Sequence, residues 1–406
     1  MSEGKQLKHY DIAIVGAGVI GSALALQLSR SGYAVALIDA LEEAFPATNP
    51  ERVIALSEGS AQFLQSLGVW ESILGLGAGW IKDIYVCEPG QPAVVDMSHT
   101  EINAEALGYV LEIRHVLKPL HDALVGHVDF ICPARVSQIH KQESHVQITL
   151  DSASGLQHLQ VGLLVGADGT NSQIRNLAKM TTLGWDHNRL GIVASVASSQ
   201  GHGDVAYECF REEGPLALLP LADGRFSLVW SVAPKHGVQL MDMSETEFLS
   251  ALADEVGESV IKRIGSLERS SPRAVFPLEL RIAKSFAQNG IVLVGNAAHT
   301  IHPIAGQGMN LGLRDVMVLA DVLSKPRAKD KLNSPLLTDA YAERRRLDTA
   351  AVATFTEGTL HAFSSPLLPT KWLRGVGLSV TQSTPALKQI LLQQASGLGQ
   401  QQRMQR

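Results

Sequence analysis

The chain has 406 residues, 45% of them hydrophobic, and a formal net charge of −6. That is enough apolar material for large cores and about two domains, while the acidic balance argues against a general nucleic-acid binder, which carries a basic face. Three scattered cysteines (Cys87, Cys132, Cys209) without CxxC spacing argue against a disulfide framework or a cysteine metal site.

Taken in order, the chain first runs without formal charge from Ile12 to Ser29, but Gly16, Gly18, Gly21, Ser22 and Gln27 interrupt that run. Its pattern turns midway from strand to helix, which predicts buried βα structure rather than a membrane span. With no basic segment and cleavage site ahead of it, a cytoplasmic protein is expected. Ile12–Val15 predict a buried parallel strand. Gly16 to Gly21 read GxGxxG, a helix follows to about Ser31 with Gly32 closing it, and a second strand, Ala34–Ile38, ends at Asp39. Each piece suits a dinucleotide. Gly16 makes the tight turn, Gly18 lets a pyrophosphate approach, Gly21 lets the helix pack on the strand, and Asp39 accepts hydrogen bonds from ribose hydroxyls. A carboxylate there repels a 2′-phosphate, so the dinucleotide is FAD or NAD rather than NADP.

Beyond a polar loop, Arg52 precedes a short apolar run and an amphipathic helix through Leu67. It can clamp a phosphate bidentately or stand as a solvated surface side chain. Residues 82–104 alternate like strands, Val110–Arg114 lead into a helix over Val116–Leu124, and three further strands follow to Leu150. Leu163–Gly166 predict another buried strand, ending in a small-residue turn in which Asp168 can cap the next helix. Ser172 and Arg175 lie one helical turn apart, the plain reading of Arg175 being solvated. From 186 to 280 the pattern becomes short alternating runs with Gly, Asp and Pro between them, an antiparallel sheet with a hairpin turn at Ala222–Arg225. Helices are expected over Glu245–Ala253 and Ser259–Ile264. Ile291–Val294 then make a last buried strand that delivers the loop Pro303, Gly306, Gln307, Gly308 onto a helix starting at Met309. Unpaired N–H groups and the helix dipole there favour an electron-rich group, and the glycines let a flat ring approach.

The expected fold class is therefore α/β: a discontinuous Rossmann-like domain (1–81, 105–185, 281–345), an inserted mostly antiparallel sheet domain (82–104, 186–280) and C-terminal helices (346–406). GAGVIG with Asp39, GADGTNSQIR and GNAAHTIHPIAGQGMNLGLRD, in that order and spacing, resemble the class A flavoprotein monooxygenases of the p-hydroxybenzoate hydroxylase fold. More narrowly they resemble the ubiquinone-biosynthesis hydroxylases, with ERVIALSEGSAQFLQSLGVW and GPLALLPLADGRFSLVW most like those acting on 2-octaprenyl-6-methoxyphenol. The resemblance implies FAD as cofactor, its ADP half held by Gly16, Gly18, Gly21 and Asp39. It implies cofactor contacts at Arg52 and Arg114, and a link to both FAD and the nicotinamide donor at Asp168. Asn296, where most relatives carry Asp, would meet the flavin ribityl or ribose hydroxyls, a departure shared by the ubiquinone branch. Pro303, Gly306, Gly308, Met309 and Asn310 would line the isoalloxazine.

A second Rossmann unit is not expected, because Gly75, Gly77 and Gly79 lack the spacing. The resemblance then implies that NAD(P)H is a visiting co-substrate and that a flavin C4a-hydroperoxide hydroxylates a prenylated phenol with O₂. No catalytic side chain is assigned, no metal site is expected, and His299 and His302 are expected to shape the flavin loop. The alternatives are a reductase or dehydrogenase of a prenyl lipid on the same fold, another ring-hydroxylation step of the same pathway, or a scaffold that keeps only the fold. The apolar C-terminal stretch from about Thr354 to Leu398, with Leu360, Phe363, Leu367, Leu368, Trp372, Leu373, Val376, Leu378 and Val380 around Lys371 and Arg374, reads as core-packing helices or as an interfacial surface. Peripheral contact with a membrane and a place in a multi-enzyme assembly are the partner expectations.

Overall fold

The computed structural model describes residues 7–42, 52–153, 155–302, 306–326, 328–364 and 368–398. Its first sheet is built around the strand Lys8–Val15, which pairs in parallel with Val35–Ile38 on one side and Gly155–Gly166 on the other. Asp129–Ile131 and Ile291–Leu293 extend the parallel region outward. Ile12, Ala13, Ile14, Leu37, Leu163, Leu164 and Val292 have no exposed surface, as strands covered on both faces require. All the turns that leave these strands, after Val15, Ile38, Gly166 and Leu293, therefore open at one edge, the carboxyl edge where open α/β sheets bind ligands.

The second sheet orders Ala274–Ala283, Thr182–Ser198, Phe226–Val232, Leu216–Pro220, Val205–Cys209, Asp83–Cys87 and Val94–Ser98 as neighbours. The pairing is antiparallel as expected, with one exception. Val205–Cys209 runs parallel to Asp83–Cys87, because those strands are separated by a long excursion through the first sheet and need no hairpin between them. Thr182–Ser198 is far longer than the short runs expected from 186 onward; its register against Ala274–Ala283 shifts between Asp186 and Arg189, and that irregularity breaks the alternation on which a sequence reading depends. A three-stranded antiparallel sheet, Val53–Ser57, Gly108–Glu112 and Gly79–Ile81, makes a third unit. The helices Pro335–Ser364, Leu368–Ser383 and Pro385–Ala395 close the chain. No helix among the described residues is long and apolar enough to cross a membrane.

The first helix is Val19–Arg30, starting before the expected Gly21 because Gly18 takes the extended N-cap conformation. A Cβ on Gly21 would lie 1.8 Å from the Gly16 carbonyl oxygen and one on Gly16 would lie 2.4 Å from that of Ala167. These two glycines serve the packing of the protein itself. Gly21→Ala should therefore cost about 3 kcal/mol through overpacking, read as a lowered urea midpoint at unchanged slope.

Candidate functional site

At the carboxyl edge, the Gly16 N–H donates to the Ile38 carbonyl at 2.7 Å and the Ala17 N–H to Asp39 Oδ2 at 2.7 Å, while Asp39 Oδ1 accepts from the Leu41 N–H at 2.9 Å. The Asp39 carboxylate is thus aimed by its own turn, with lone pairs to spare. His121 Nε2 sits 3.0 Å from both the Ala17 carbonyl and Ser22 Oγ and braces this turn from the helix Ile113–Leu124. A Cβ on Gly18 would meet nothing within 4 Å, and the helix it caps has no side-chain cap.

The Asp168 turn is a small lock. Asp168 Oδ2 accepts from the N–H groups of Gln173 and Ile174 at 2.7 and 3.0 Å, and Oδ1 from Ser172 Oγ at 2.5 Å. Arg175, taken in the plain reading as solvated, is buried. Its guanidinium donates to the carbonyls of Ala297 at 2.9 Å and Thr170 at 2.7 Å, tying this turn to the one after Ile291–Leu293. Two carbonyls in reach make burial of that charge tolerable, and burial lowers its pKa.

Across the edge, the helix Gln307–Leu323 starts from Gly306 in the left-handed region at φ 63° with no side-chain cap, where a Cβ would lie 2.6 Å from that of Ala55. A Cβ on Gly308 would meet nothing within 4 Å. The Asn310 side chain is fully engaged: Oδ1 accepts from Ser57 N–H and Ser60 Oγ, and Nδ2 donates to the carbonyls of Ala55 and Gly306. The amide of Asn310 is thus spent inside the protein. Arg52, Arg114 and Asn296 are exposed, Arg114 Nε pairing with Glu112 at 2.5 Å. Pro303 lies outside the described residues.

Sequence reading gave no role to a buried charge network beneath this edge. Asp315 Oδ2 accepts from the Gly295 N–H and lies 2.7 Å from His299 Nε2, while Asp315 Oδ1 accepts from Arg345 Nε at 2.5 Å. Arg345 also pairs with Asp348, and Tyr341 donates its hydroxyl to the Leu293 carbonyl at 2.9 Å. Burial pushes the Asp315 carboxyl up, but His299, Arg345 and the Gly295 N–H outweigh it and hold it below its usual range. Arg345 sits in a run of charges, and no signal in the sequence marks it.

A cavity of about 180 Å³ lies between the second sheet, the helix Pro335–Ser364 and His302, the last described residue before the loop to Gly306. Its lining includes His187, Arg189, Ser231, His302 and Glu357. Among the described residues there is no group of side chains that could hold a metal ion. In the C-terminal stretch, Phe363 stacks on Phe210 with ring centroids 4.1 Å apart and Leu378 is buried, whereas Val376 and Val380 are exposed. Leu367 and the side chains of Leu368, Lys371, Trp372, Leu373 and Arg374 lie outside the described residues.

Residues 9–356 match the family described as FAD binding domain. The chain is 34% identical to 3-demethoxyubiquinol 3-hydroxylase of Escherichia coli K12, covering 96% of this chain and 98% of that protein. It is 30% identical to ubiquinone hydroxylase UbiL of Rhodospirillum rubrum, with 97% and 91% covered. Its fold matches the crystal structure of p-nitrophenol 4-monooxygenase PnpA from Pseudomonas putida with a TM-score of 0.78 at 19% identity, over 95% and 97% of the two chains.

Proposed function

This chain belongs to the FAD binding domain family and is an FAD-dependent monooxygenase of the ubiquinone-biosynthesis hydroxylase class, and from that premise we propose that it hydroxylates the ring of a polyprenylated phenol with O₂, NAD(P)H being the visiting reductant. When bound, FAD supplies the oxygen activation; the chain supplies position, a dry pocket and charge. Gly16 and Gly21 shape the turn, Gly18 leaves room for the pyrophosphate, and Asp39 receives the ribose hydroxyls. Arg52 and Arg114 reach the cofactor from the rim, Asp168 holds its turn against it, and Asn296 offers an amide to the ribityl hydroxyls. Pro303 would stand at the ring face, and the backbone of Gly306, Gly308, Met309 and Asn310 presents N–H groups to the electron-rich edge of the ring.

The observation that carries this reading is the contrast among the glycines. Gly18 and Gly308 have open space where a side chain would stand, each at a helix start that no side chain caps. Incubating the flavin-loaded protein with NAD(P)H, isotopically labelled dioxygen and candidate prenyl phenols tests it. One labelled oxygen in the ring is expected; anaerobic turnover with none incorporated would favour a reductase instead.

Val376, Val380, Leu387 and Ile390 are exposed on the last two helices, which supports peripheral attachment to the bilayer where a prenyl lipid resides. The full-length protein should cosediment with anionic vesicles at low salt. Val380→Glu with Ile390→Glu should weaken that binding at least tenfold, since each buried aliphatic side chain contributes roughly 1.5–3 kcal/mol. No cosedimentation of the unmutated chain would refute the attachment.

A further inference from the structure

Several of the buried polar atoms without a hydrogen-bond partner among the described residues converge on one place. His187 Nε2, Glu357 Oε1, Ser231 Oγ and both ring nitrogens of His302 all belong to residues lining the 180 Å³ cavity beside the flavin loop. His302 is 2% exposed and meets the His187 ring edge-on at 5.4 Å. His187 Nε2 lies 3.4 Å from Glu357 Oε1 without hydrogen-bond alignment. A cavity that stayed dry and structural would leave all of these groups uncompensated. A ligand hydroxyl, with one donor and two acceptor sites, would satisfy up to three of them.

Resting on the phenol-hydroxylase reading, we propose that Glu357 is the base that takes the phenolic proton of the substrate, with Arg189 facing the oxygen left charged. The phenol O–H bond breaks and a new O–H bond forms at Glu357 Oε1. The electron pair stays on the substrate oxygen and spreads into the ring, raising its reactivity towards an electrophilic oxygen. No oxidant or reductant enters this step.

Three kinds of group share the cavity, and their surroundings separate them. Burial holds His302 down to about 3, helped by His187 and Arg189. Burial also lowers His187, with His361 and Arg189 acting in the same direction and Asp186 against it. Protonating either imidazole would add a buried cation beside Arg189. Burial raises Glu357, against the pull of His361 and a hydrogen bond from Trp185, so taking up a proton there removes a buried charge. Glu213 lines the same cavity but is paired with His236 at 2.7 Å. Glu357 is the acceptor that gains most.

The test uses FAD-loaded protein and 4-nitrophenol, whose ionised form absorbs at longer wavelength, in buffer acidic enough to keep the free phenol neutral. The unmutated chain should bind it as the phenolate. Glu357→Gln should bind it neutral, with flavin content unchanged and ring hydroxylation of a prenyl phenol reduced about 100-fold. Glu357→Asp should recover part of the ionised band, and serves if the amide variant does not fold. The proposal is overturned if the unmutated chain binds the neutral form, or if Glu357→Gln still binds the phenolate. Labelled oxygen in the product of the unmutated chain reports the hydroxylase reading separately, so the two can fail independently.

Discussion

Gly18→Val should give a folded, colourless protein. The Cβ position is free of protein atoms within 4 Å, and φ of −69° with ψ of −177° is open to any residue. The cost to folding is then no more than about 1 kcal/mol, the loss of a favourable N-cap residue. On the proposed placement of the cofactor, the cost to FAD would fall where the backbone N–H groups of the first helix would meet the pyrophosphate. Charge-assisted hydrogen bonds are worth roughly 1.5–3 kcal/mol each, so displacing the phosphates by one isopropyl group should weaken FAD binding about 100-fold or more. The measurement pairs flavin absorbance after gel filtration with urea unfolding of the apoprotein. Gly21→Ala is the internal contrast, because its Cβ would strike Gly16 and damage the fold first. If Gly18→Val holds FAD as tightly as the unmutated chain, the dinucleotide does not pass that turn.

The parts of the fold that were legible in the sequence are those where local pattern and tertiary role agree. Ile12–Val15, Val35–Ile38 and Ile291–Val294 are apolar on both faces because both faces are covered, and each is followed by glycine or aspartate because a turn must follow. The α/β class with a mostly antiparallel inserted sheet and C-terminal helices followed from that punctuation. What stayed hidden depends on residues far apart in sequence. Arg175 reads as a solvated charge and Arg345 draws no reading, since nothing nearby in the chain announces the Ala297 carbonyl or the Asp315 carboxylate that receives them. Asn310 looked like a ligand contact, yet its amide is spent on Gly306 in its own turn and on Ser57, Ser60 and Ala55, some 250 residues back, which no local pattern encodes. The parallel pairing of Val205–Cys209 with Asp83–Cys87 has the same origin. His187 and Glu357 draw no reading from the sequence, and His302 only the expectation that it shapes the flavin loop; the third dimension makes the three neighbours.

Arg345→Met should be the most destabilising of these substitutions outside the glycines. Asp315 and Arg345 are each at most 2% exposed, and their pairing lets a carboxylate survive with no solvent. Removing the guanidinium leaves His299 and the Gly295 N–H to support that charge alone, and breaking one side of a buried pair costs about 3–5 kcal/mol. The loss should appear in urea as a lowered midpoint with unchanged slope. It carries a pH signature whose sign follows from the depressed carboxyl. A group held below its unfolded value of about 3.9 stabilises the fold above that value and loses the contribution as pH falls through the folded value. In the unmutated chain this limb therefore lies on the acid side of the ordinary carboxylate range. Without Arg345, burial has less opposition and the limb should move to higher pH. Because Asp315 also receives the Gly295 N–H, at the head of the turn bearing Asn296, the same variant should loosen FAD more than its stability loss alone explains. A pH-independent stability change in Arg345→Met would show that Asp315 draws its support elsewhere.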